Sequence, residues 1–433
     1  MKFTQIEITQ SDLNFEREIL IQPFGFRGGY LSELWQVIVG MRSGSGTSTI
    51  GLHTQSVLYC DADLFASQPE ASSNAMMYLL TNQALQLAQE IPFETPINLL
   101  DDVFPELLKA GKTITGRPNL NHNFIYNSLV ALDNAAWLLF AAENNLNDFE
   151  GMVQALDKNI FTDRQSKIGV MYQVPYGMKV EDIKKAVELG YFVIKIKLGQ
   201  PGTEAEMLKK DQERLEEIHQ AIRHLDPPES SGLGQIKYTL DANGRYRNKE
   251  SILTLLDHCR KIGMWDQILV FEEPLAANDN LVVSDLGLTI AADESVQSEK
   301  EAIIRIQQGY GALVLKNIAK TLSETLKLAR LAKAHQIPCI CADLTVNPVL
   351  VNWNKNVAAH LPAFPGLGQM GLIETNGDMN YRNWERMKSY LPNPEASYNQ
   401  VKGGVFELNQ DFYQRSGGIF EPSAHYQAIL KDF

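Results

Sequence analysis

From about Ser166 onward the sequence alternates between strand-like and helix-like segments, and this alternation limits the possible fold more than any other feature. Eight apolar runs of strand length occur between residues 166 and 374, and most of the stretches between them have helical periodicity. Such alternation is typical of parallel sheets, and eight repeats predict a (β/α) barrel. The alternative is an open doubly wound sheet, which usually carries a glycine-rich phosphate turn after its first strand. VPYGM (residues 174–178) is not such a turn.

The chain on either side of the predicted barrel has a different pattern. Strand-like stretches at residues 3–9, 31–39 and 49–58 precede long helical patterns, which together indicate an α+β domain. Short strand-like pieces return after about Asn393, and we expect them to pack back onto the first domain. The predicted division is an α+β domain at residues 1–160, a barrel at 161–392, and a carboxyl-terminal segment at 393–433 that completes the first domain.

Charged side chains stand where the apolar runs of the predicted barrel end. They are Lys195 and Lys197, Asp241, Glu272, Asp293 and Lys316, in chain order. Active sites of such barrels lie at the carboxyl ends of the strands, so these side chains are expected to converge. Three carboxylates from consecutive strands form a site of hard oxygen ligands, which suits Mg²⁺ or Mn²⁺. The sequence therefore predicts a divalent metal site between two sets of lysines.

The lysines in this arrangement indicate proton transfer next to a carboxylate. A carboxylate substrate bound to the metal would have an acidic α-carbon, because the cation stabilises the anion formed when the α-proton leaves. A partly desolvated lysine held among cations has a lowered pKa and can act as the base. A second lysine on the opposite face can return a proton or stabilise the intermediate. Two-sided placement favours inversion of a stereocentre.

Five short motifs along the predicted barrel carry a resemblance to a known family. They are KIK (195–197), DAN (241–243), EEP (272–274), ADES (292–295) and VLK (314–316), and they are preceded by the helical segment ALDNAAW (131–137). In this order they resemble the enolase superfamily, in particular the muconate lactonizing enzyme subgroup of mandelate racemase/muconate lactonizing enzyme-like proteins. The resemblance implies a modified (β/α)7β TIM barrel under an α+β capping domain built from both termini.

The same resemblance assigns roles to the charged residues. Asp241, Glu272 and Asp293 would bind the metal, and Lys197 and Lys316 would be the acid/base pair. Lys195 would assist as a cation near the base and the substrate carboxylate.

Candidate substrate-binding residues follow from the remaining strand ends. Relatives that epimerise dipeptides bind the substrate ammonium with two aspartates after the last barrel strand, and the matching positions here are Glu374 and Asn376, a partial match. Asp343 stands where relatives that dehydrate sugar acids carry histidine, and it either contacts substrate or caps a helix. Asn243 either holds a ligand carboxylate or only its own turn.

A glycine-rich loop in the predicted cap supplies the other candidates. It spans residues 23–30 and contains Phe24, Arg27 and Tyr30. By the resemblance, this loop should fold over the barrel mouth, exclude water and touch the distal part of the substrate. An ordinary hairpin turn is the structural alternative.

Three functions are consistent with these residues. The first is a racemase or epimerase acting next to a carboxylate, with an amino-acid derivative or dipeptide among the candidate substrates. The second is a lyase or cycloisomerase that uses the same enolate, similar to o-succinylbenzoate synthase or muconate cycloisomerase. The third is a catalytically silent binding protein, which the intact lysine pair disfavours.

Composition narrows the partners and the compartment. The formal charge of −13 and the lack of a basic stripe argue against nucleic acid. No apolar run reaches membrane-spanning length and no signal peptide is recognisable, so we expect a cytoplasmic protein without a membrane partner. The four cysteines have neither zinc-site nor disulfide-framework spacing and are expected to be reduced. A small carboxylate substrate is expected, and a homo-oligomer is left open.

Overall fold

The computed structural model describes residues 2–26, 29–228, 232–342 and 345–430 of the 433-residue chain. Within this part, an antiparallel sheet with helices precedes a closed parallel barrel. Arg27 and Asp343, both predicted to bind substrate, lie outside the described residues. Their roles stay predictions.

The amino-terminal part is an antiparallel meander packed against helices, as the sequence predicts. Its strands pair in chain order. The elements are β1 (Ile8–Phe26), β2 (Gly29–Ser43), β3 (Ser48–Thr54), α1 (Val57–Cys60), α2 (Ala62–Ser67), α3 (Glu70–Glu90), α4 (Pro96–Thr115), α5 (His122–Glu143) and α6 (Phe149–Gln154). The first strand begins later than the predicted stretch 3–9 and is much longer, because β2 offers it a pairing partner through the polar residues that follow.

The predicted barrel is confirmed. Its parallel strands are β4 (Lys167–Val174), β5 (Val193–Lys197), β6 (Lys237–Asp241), β7 (Ile268–Glu272), β8 (Ile290–Ala292), β9 (Ala312–Leu315), β10 (Cys339–Cys341) and β11 (Gly371–Glu374). The ring closes where β11 pairs with β4. The register sets Lys197 beside Asp241 and Asp241 beside Glu272, so the strands end level with one another at the predicted site.

Helices cover most of the outside of the barrel. They are α7 (Val180–Glu188), α8 (Glu204–Ile222), α9 (Lys249–Lys261), α10 (Glu299–Gln307), α11 (Asn317–Lys320), α12 (Leu322–Ala334) and α13 (Pro348–His360). The connection between β7 and β8 is irregular rather than helical. After β11 the described chain forms helices of four to six residues, α14 (Gly377–Asn380), α15 (Trp384–Lys388), α16 (Gln410–Arg415) and α17 (Ala424–Ile429). The flank between the last and first strands therefore lacks a long helix in the described residues.

The carboxyl-terminal segment contacts both parts of the molecule. Its short strands β12 (Val401–Lys402) and β13 (Val405–Glu407) extend the barrel sheet, with β13 antiparallel to β4. Further along, His425 approaches Glu16 of β1 at 3.0 Å, and Asn14 donates to the carbonyl of Ile429 at 2.9 Å. The boundaries at residues 160/161 and 392/393 stay predictions.

One apolar core runs through the cap and the barrel. Ile38 of β2 and Val314 of β9 belong to the same cluster of buried side chains. The four cysteines are buried and form no disulfide. Burial raises the pKa of the Cys339 thiol to about 12, which makes it a poor nucleophile at neutral pH.

Helix α5 connects the cap to the barrel. By length and composition it is the one helix of the described residues that could cross a membrane, but 94% of its apolar window is buried inside the protein, as in a core helix. Its Asp133 accepts hydrogen bonds from the backbone N–H groups of Leu322 (2.9 Å) and Ser323 (3.1 Å) at the start of α12. Trp137 donates to the Ser323 hydroxyl at 3.0 Å. Burial raises the pKa of Asp133 to about 7, although these hydrogen bonds oppose the shift.

Replacing Asp133 should weaken the junction between the two domains. Asp133→Ala leaves two buried N–H groups without an acceptor, so we expect the free energy of unfolding to fall by about 2–3 kcal/mol in urea titrations. Asp257→Ala, which removes an exposed carboxylate, is the control and should change the free energy of unfolding little.

The stability should also depend on pH through Asp133. Because the folded state raises the pKa of Asp133, it binds the proton more tightly than the unfolded state does. The contribution of this group to stability is therefore lost as pH rises from 4 to 7, and Asp133→Asn should flatten that slope. Equal slopes in both proteins would contradict this assignment.

Candidate active site

Lys195 is buried at the carboxyl end of β5, with 1% of its surface exposed. Its ammonium lies 3.0 Å from Asp241, 2.7 Å from Glu272 and 2.8 Å from Glu374. These carboxylates come from β6, β7 and β11. One lysine thus holds together the ends of strands that are far apart in the sequence.

Lys197 and Lys316 approach the cluster from opposite walls of the barrel. Their strands, β5 and β9, are four positions apart in a closed ring of eight described strands. Lys197 is partly exposed, and its ammonium contacts Asp241 at 2.5 Å and Asn243 at 3.1 Å. Lys316 is buried and donates to Asp293. The structure therefore brings together the six residues predicted to be catalytic or metal-binding.

Two further side chains at Asp293 were missed in the sequence. Tyr59 comes from α1 in the cap, donates to Asp293 at 3.2 Å, and has its ring centroid 4.2 Å from the ammonium of Lys316. Lys320 is fully buried and donates to the carbonyl oxygens of Asp293 (3.0 Å) and Val296 (2.8 Å). The KxxxK spacing after Lys316 could have signalled Lys320. Nothing in the local sequence marks Tyr59.

The charges in the cluster shift one another's pKa in opposite directions. Burial acts to raise the pKa of Asp241, but the ammonium groups of Lys195 and Lys197 hold it below its usual range. Burial and the charge of Asp241 raise the pKa of Glu272 well above its usual range. Burial acts to lower the pKa of Lys316, but Asp293 and other carboxylates raise it above its usual value. Lys195 likewise faces carboxylates, which raise its pKa against the effect of burial. The predicted lowering applies to a lysine held among cations and stays a prediction.

A second pair of acids follows the predicted metal ligands. Glu273 has a left-handed backbone (φ 39°), and one of its oxygens accepts from the Asp293 amide at 2.7 Å and the Ser295 hydroxyl at 3.0 Å. Glu294 accepts from the side chain of Asn243 at 2.8 Å, so Asn243 links Lys197 to Glu294. The backbone N–H of Asn243 donates to the carboxylate of Asp241 within the turn. Within the described residues, each glutamate keeps one buried oxygen without a hydrogen-bond partner. Burial, followed by the charge of Glu294, raises the pKa of Glu273 to about 8.

The side chains present fit a divalent cation by charge and by ligand type. Six carboxylates and four ammonium groups meet here, so the fully ionised cluster has two more negative than positive charges. They are Asp241, Glu272, Glu273, Asp293, Glu294 and Glu374, with Lys195, Lys197, Lys316 and Lys320. Carboxylate oxygens are the ligands that Mg²⁺ prefers, and the two that lack partners here belong to Glu273 and Glu294, next to the predicted ligands. Among the described residues, no three acidic, histidine or cysteine side chains have the geometry to hold a metal as they stand. Lysine ammonium groups bridge the carboxylates instead.

The end of β11 is a closed hydrogen-bond network. Glu374 accepts from Lys195 with one oxygen and from Gln173 (3.0 Å) with the other. Gln173 accepts from Asn376 at 2.9 Å, and Asn376 accepts from Thr345 at 2.7 Å. Glu374 and Asn376 are thus both at the site as predicted, but protein donors already occupy both oxygens of Glu374. Gln173, at the end of the first barrel strand, was not predicted.

The hairpin of β1 and β2 carries the predicted cap residues. Phe24 and Tyr30 lie near its tip and are 46% and 66% exposed. The stem rests on the segment after β11: Leu20 pairs with Tyr381, and the amide of Arg382 donates to Ile19 at 3.0 Å. The hairpin therefore packs against the segment that follows β11, at the end of the barrel where the site lies. A contact between the hairpin tip and a substrate stays a prediction.

This fold and this cluster define a (β/α) barrel protein with a capping domain and an ionic site at the carboxyl ends of its strands. Residues 179–389 match the family model described as enolase C-terminal domain-like. This match, which covers most of the barrel, confirms the resemblance to the enolase superfamily. No curated protein gives a significant match to the sequence.

Solved structures with the same overall fold cover nearly the whole chain. A mandelate racemase/muconate lactonizing protein from Herpetosiphon aurantiacus has a TM-score of 0.63 at 16% identity, covering 93% of this chain and 96% of its own. The N-succinyl Arg/Lys racemase from Bacillus cereus has a TM-score of 0.63 at 17% identity, covering 95% and 98%. The dipeptide epimerase from Cytophaga hutchinsonii, complexed with Mg and D-Ala-L-Val, has a TM-score of 0.60 at 19% identity, covering 87% and 88%. At these identities the likeness establishes the fold.

Removing the central lysine should destabilise the barrel. Lys195→Met leaves three buried carboxylates without their shared cation, so the free energy of unfolding should fall by about 3–5 kcal/mol in chemical denaturation. Lys185→Met, which removes an exposed lysine on α7, is the control and should leave it nearly unchanged. In the Glu374→Gln background, Lys195→Met should lower the free energy of unfolding by less, because one of the three carboxylates that would lose its cation is already absent. An unchanged cost would show that the two residues do not interact.

Proposed function

We propose that this chain is a divalent-metal-dependent racemase or epimerase, which abstracts the proton alpha to a carboxylate and stabilises the resulting enolate. The observation that carries the proposal is the placement of Lys197 and Lys316 on opposite walls of the barrel, with carboxylates from the intervening strands between them. Two opposed amines can serve the two faces of one planar carbon. This arrangement suits an enzyme that inverts configuration by removing a proton from one face and returning one to the other.

Asp241, Glu272 and Asp293 would hold the metal, which we propose to be Mg²⁺ with Mn²⁺ as the alternative. When bound, a divalent ion supplies positive charge that stabilises the anion formed as the substrate loses its α-proton. The carboxylate oxygens that converge from neighbouring strands support this proposal. The dipeptide epimerase with the same fold, which was solved in a complex with Mg, supports it as well. Because ammonium groups now bridge these carboxylates, Lys195 and Lys316 must give up part of their contacts when a cation enters.

Each lysine has a distinct proposed role. Lys197 is partly exposed, so its amine can reach an α-carbon in the mouth of the barrel and take up the proton there. Lys316 carries a proton, because nearby carboxylates raise its pKa, and it would deliver that proton to the opposite face. Lys195 would position Asp241 and Glu272 through its buried contacts. Asn243 bonds to both Lys197 and Glu294, and it would orient the amine of Lys197 toward the mouth of the barrel.

The proposed substrate is a small carboxylate, with amino-acid derivatives and dipeptides as the first classes to test. The racemase and epimerase names of proteins with this fold support that choice. The runner-up is a lyase or cycloisomerase that uses the same enolate. We also propose a cytoplasmic location without nucleic-acid or membrane partners, in keeping with the acidic composition.

Exchange of the α-proton with solvent tests the reaction directly. Libraries of N-acyl amino acids, dipeptides and other carboxylates are incubated with the protein and Mg²⁺ in D₂O, and mass spectrometry should find a substrate that gains one deuterium without losing any group. Lys197→Met and Lys316→Met should each slow the reaction by about 100-fold or more, because a general acid or base is removed. A product with altered composition would identify the lyase instead.

The control for these variants is Lys185→Met, which removes a lysine from the outside of the barrel. It should exchange at the wild-type rate. Wild-type exchange rates in both active-site variants, with the same substrate, would refute the proposed acid/base pair.

Metal binding can be followed without a substrate. Mg²⁺ that binds only the folded protein should raise the thermal midpoint, with a gain of about 2.7 kcal/mol when its concentration is 100 times Kd. EDTA should abolish both the shift and the exchange. Asp293→Asn should remove the Mg²⁺-induced shift, whereas the exposed Asp257→Asn should keep it. An identical shift in Asp293→Asn would exclude this residue as a ligand.

A further inference from the structure

A cavity of about 720 Å³ lies on the flank of the barrel between β11 and β4. It exists because short helices, rather than one long helix, follow the last strand, so the segment of residues 375–406 bridges the gap without filling it. This volume lies in the usual range for small-molecule sites. Among the described residues, none of the charged side chains of the active-site cluster lines it.

The floor of this flank cavity contains a buried lysine that the proposed reaction does not use. Lys355 of α13 is 1% exposed, and its ammonium donates to the carbonyl of Tyr398 at 2.7 Å and to the side chain of Asn399 at 3.2 Å. It also lies 4.5 Å from the centroid of the Phe406 ring. An ammonium has three N–H donors, so these partners leave one to spare. Within the described residues, no carboxylate forms an ion pair with Lys355.

A buried ammonium without a counter-charge is costly. Burial lowers the pKa of Lys355 well below its ordinary value, which expresses the same cost. An anion in the cavity would supply the missing charge. The four lysines of the active-site cluster each form an ion pair with a carboxylate, which Lys355 does not do within the described residues.

The walls of the cavity define the rest of the ligand. Asn352, one helical turn before Lys355 and 2% exposed, lines the cavity and has a side-chain oxygen without a hydrogen-bond partner. This oxygen requires a donor. Four aromatic side chains, Tyr191, Tyr381, Trp384 and Phe406, line part of the cavity, and the carboxylates Asp378 and Glu385 line another part. Flat apolar rings favour stacking by an aromatic body.

We propose that the flank cavity is a second binding site, separate from the active site, for a small aromatic carboxylate that also carries a hydrogen-bond donor. Lys355 receives the carboxylate, Asn352 accepts from the donor, and the aromatic walls enclose the ring. This proposal does not depend on the proposed isomerase reaction, and the two can be tested separately.

Calorimetry with 4-hydroxybenzoate and two matched analogues tests the proposal. 4-Hydroxybenzamide lacks the charge, and 4-methoxybenzoate lacks the donor. On the wild-type protein the hydroxy acid should bind at least tenfold more tightly than either analogue. Lys355→Met should bring the acid and the amide to within twofold of each other, whereas Lys355→Arg should retain the preference for the acid.

Lys388→Met is the matched control, because Lys388 also lines the cavity but is partly exposed and paired with Glu385. It should keep the preference for the acid. Lys197→Met distinguishes this site from the active site, and it should bind the hydroxy acid as the wild type does. Equal affinities of acid and amide for the wild type, an unchanged preference in Lys355→Met, or a lost preference in Lys197→Met would each overturn the proposal. If Lys355→Met does not fold, the wild-type and Lys355→Arg comparisons still decide it.

Discussion

The structure depends on the neutralisation of charge inside a closed barrel. Carboxylates at the ends of neighbouring strands repel one another, and burial makes each of them costly to ionise. Lys195 offsets this by contacting three of them at once. The contacts that stabilise the barrel therefore also fix the positions of Asp241 and Glu272, the proposed metal ligands.

The backbone decides which charges meet. Parallel strands end at the same rim, and the register that sets Lys197 beside Asp241 and Asp241 beside Glu272 needs no long side-chain movement to form the cluster. Alternation along β5 then sends Lys195 inward to the carboxylates while Lys197, two residues later, is nearer the mouth. One strand repeat thus separates a buried lysine from a partly exposed one.

The sequence predicted much of this because the evidence was local. Strand and helix periods repeat within a few residues, and the charges that end strands are fixed by the barrel topology, so Asp241, Glu272 and Asp293 could be placed without coordinates. The network at Glu374 could not, because Gln173 is about 200 residues away in the chain. The carboxylates that surround Lys195 and Lys316 could not be assigned from the sequence for the same reason, and the direction of a lysine pKa shift depends on such neighbours in space.

The contact of Tyr59 with the barrel has a consequence for the evolution of such two-domain proteins. It belongs to the cap, yet it bonds to Asp293 and covers the ammonium of Lys316 in the barrel. Neither domain alone therefore supplies all the side chains of the ionic cluster and its contacts. A recombination event that exchanged caps between relatives would replace Tyr59 and these contacts, so the contact favours inheritance of the two domains as one unit.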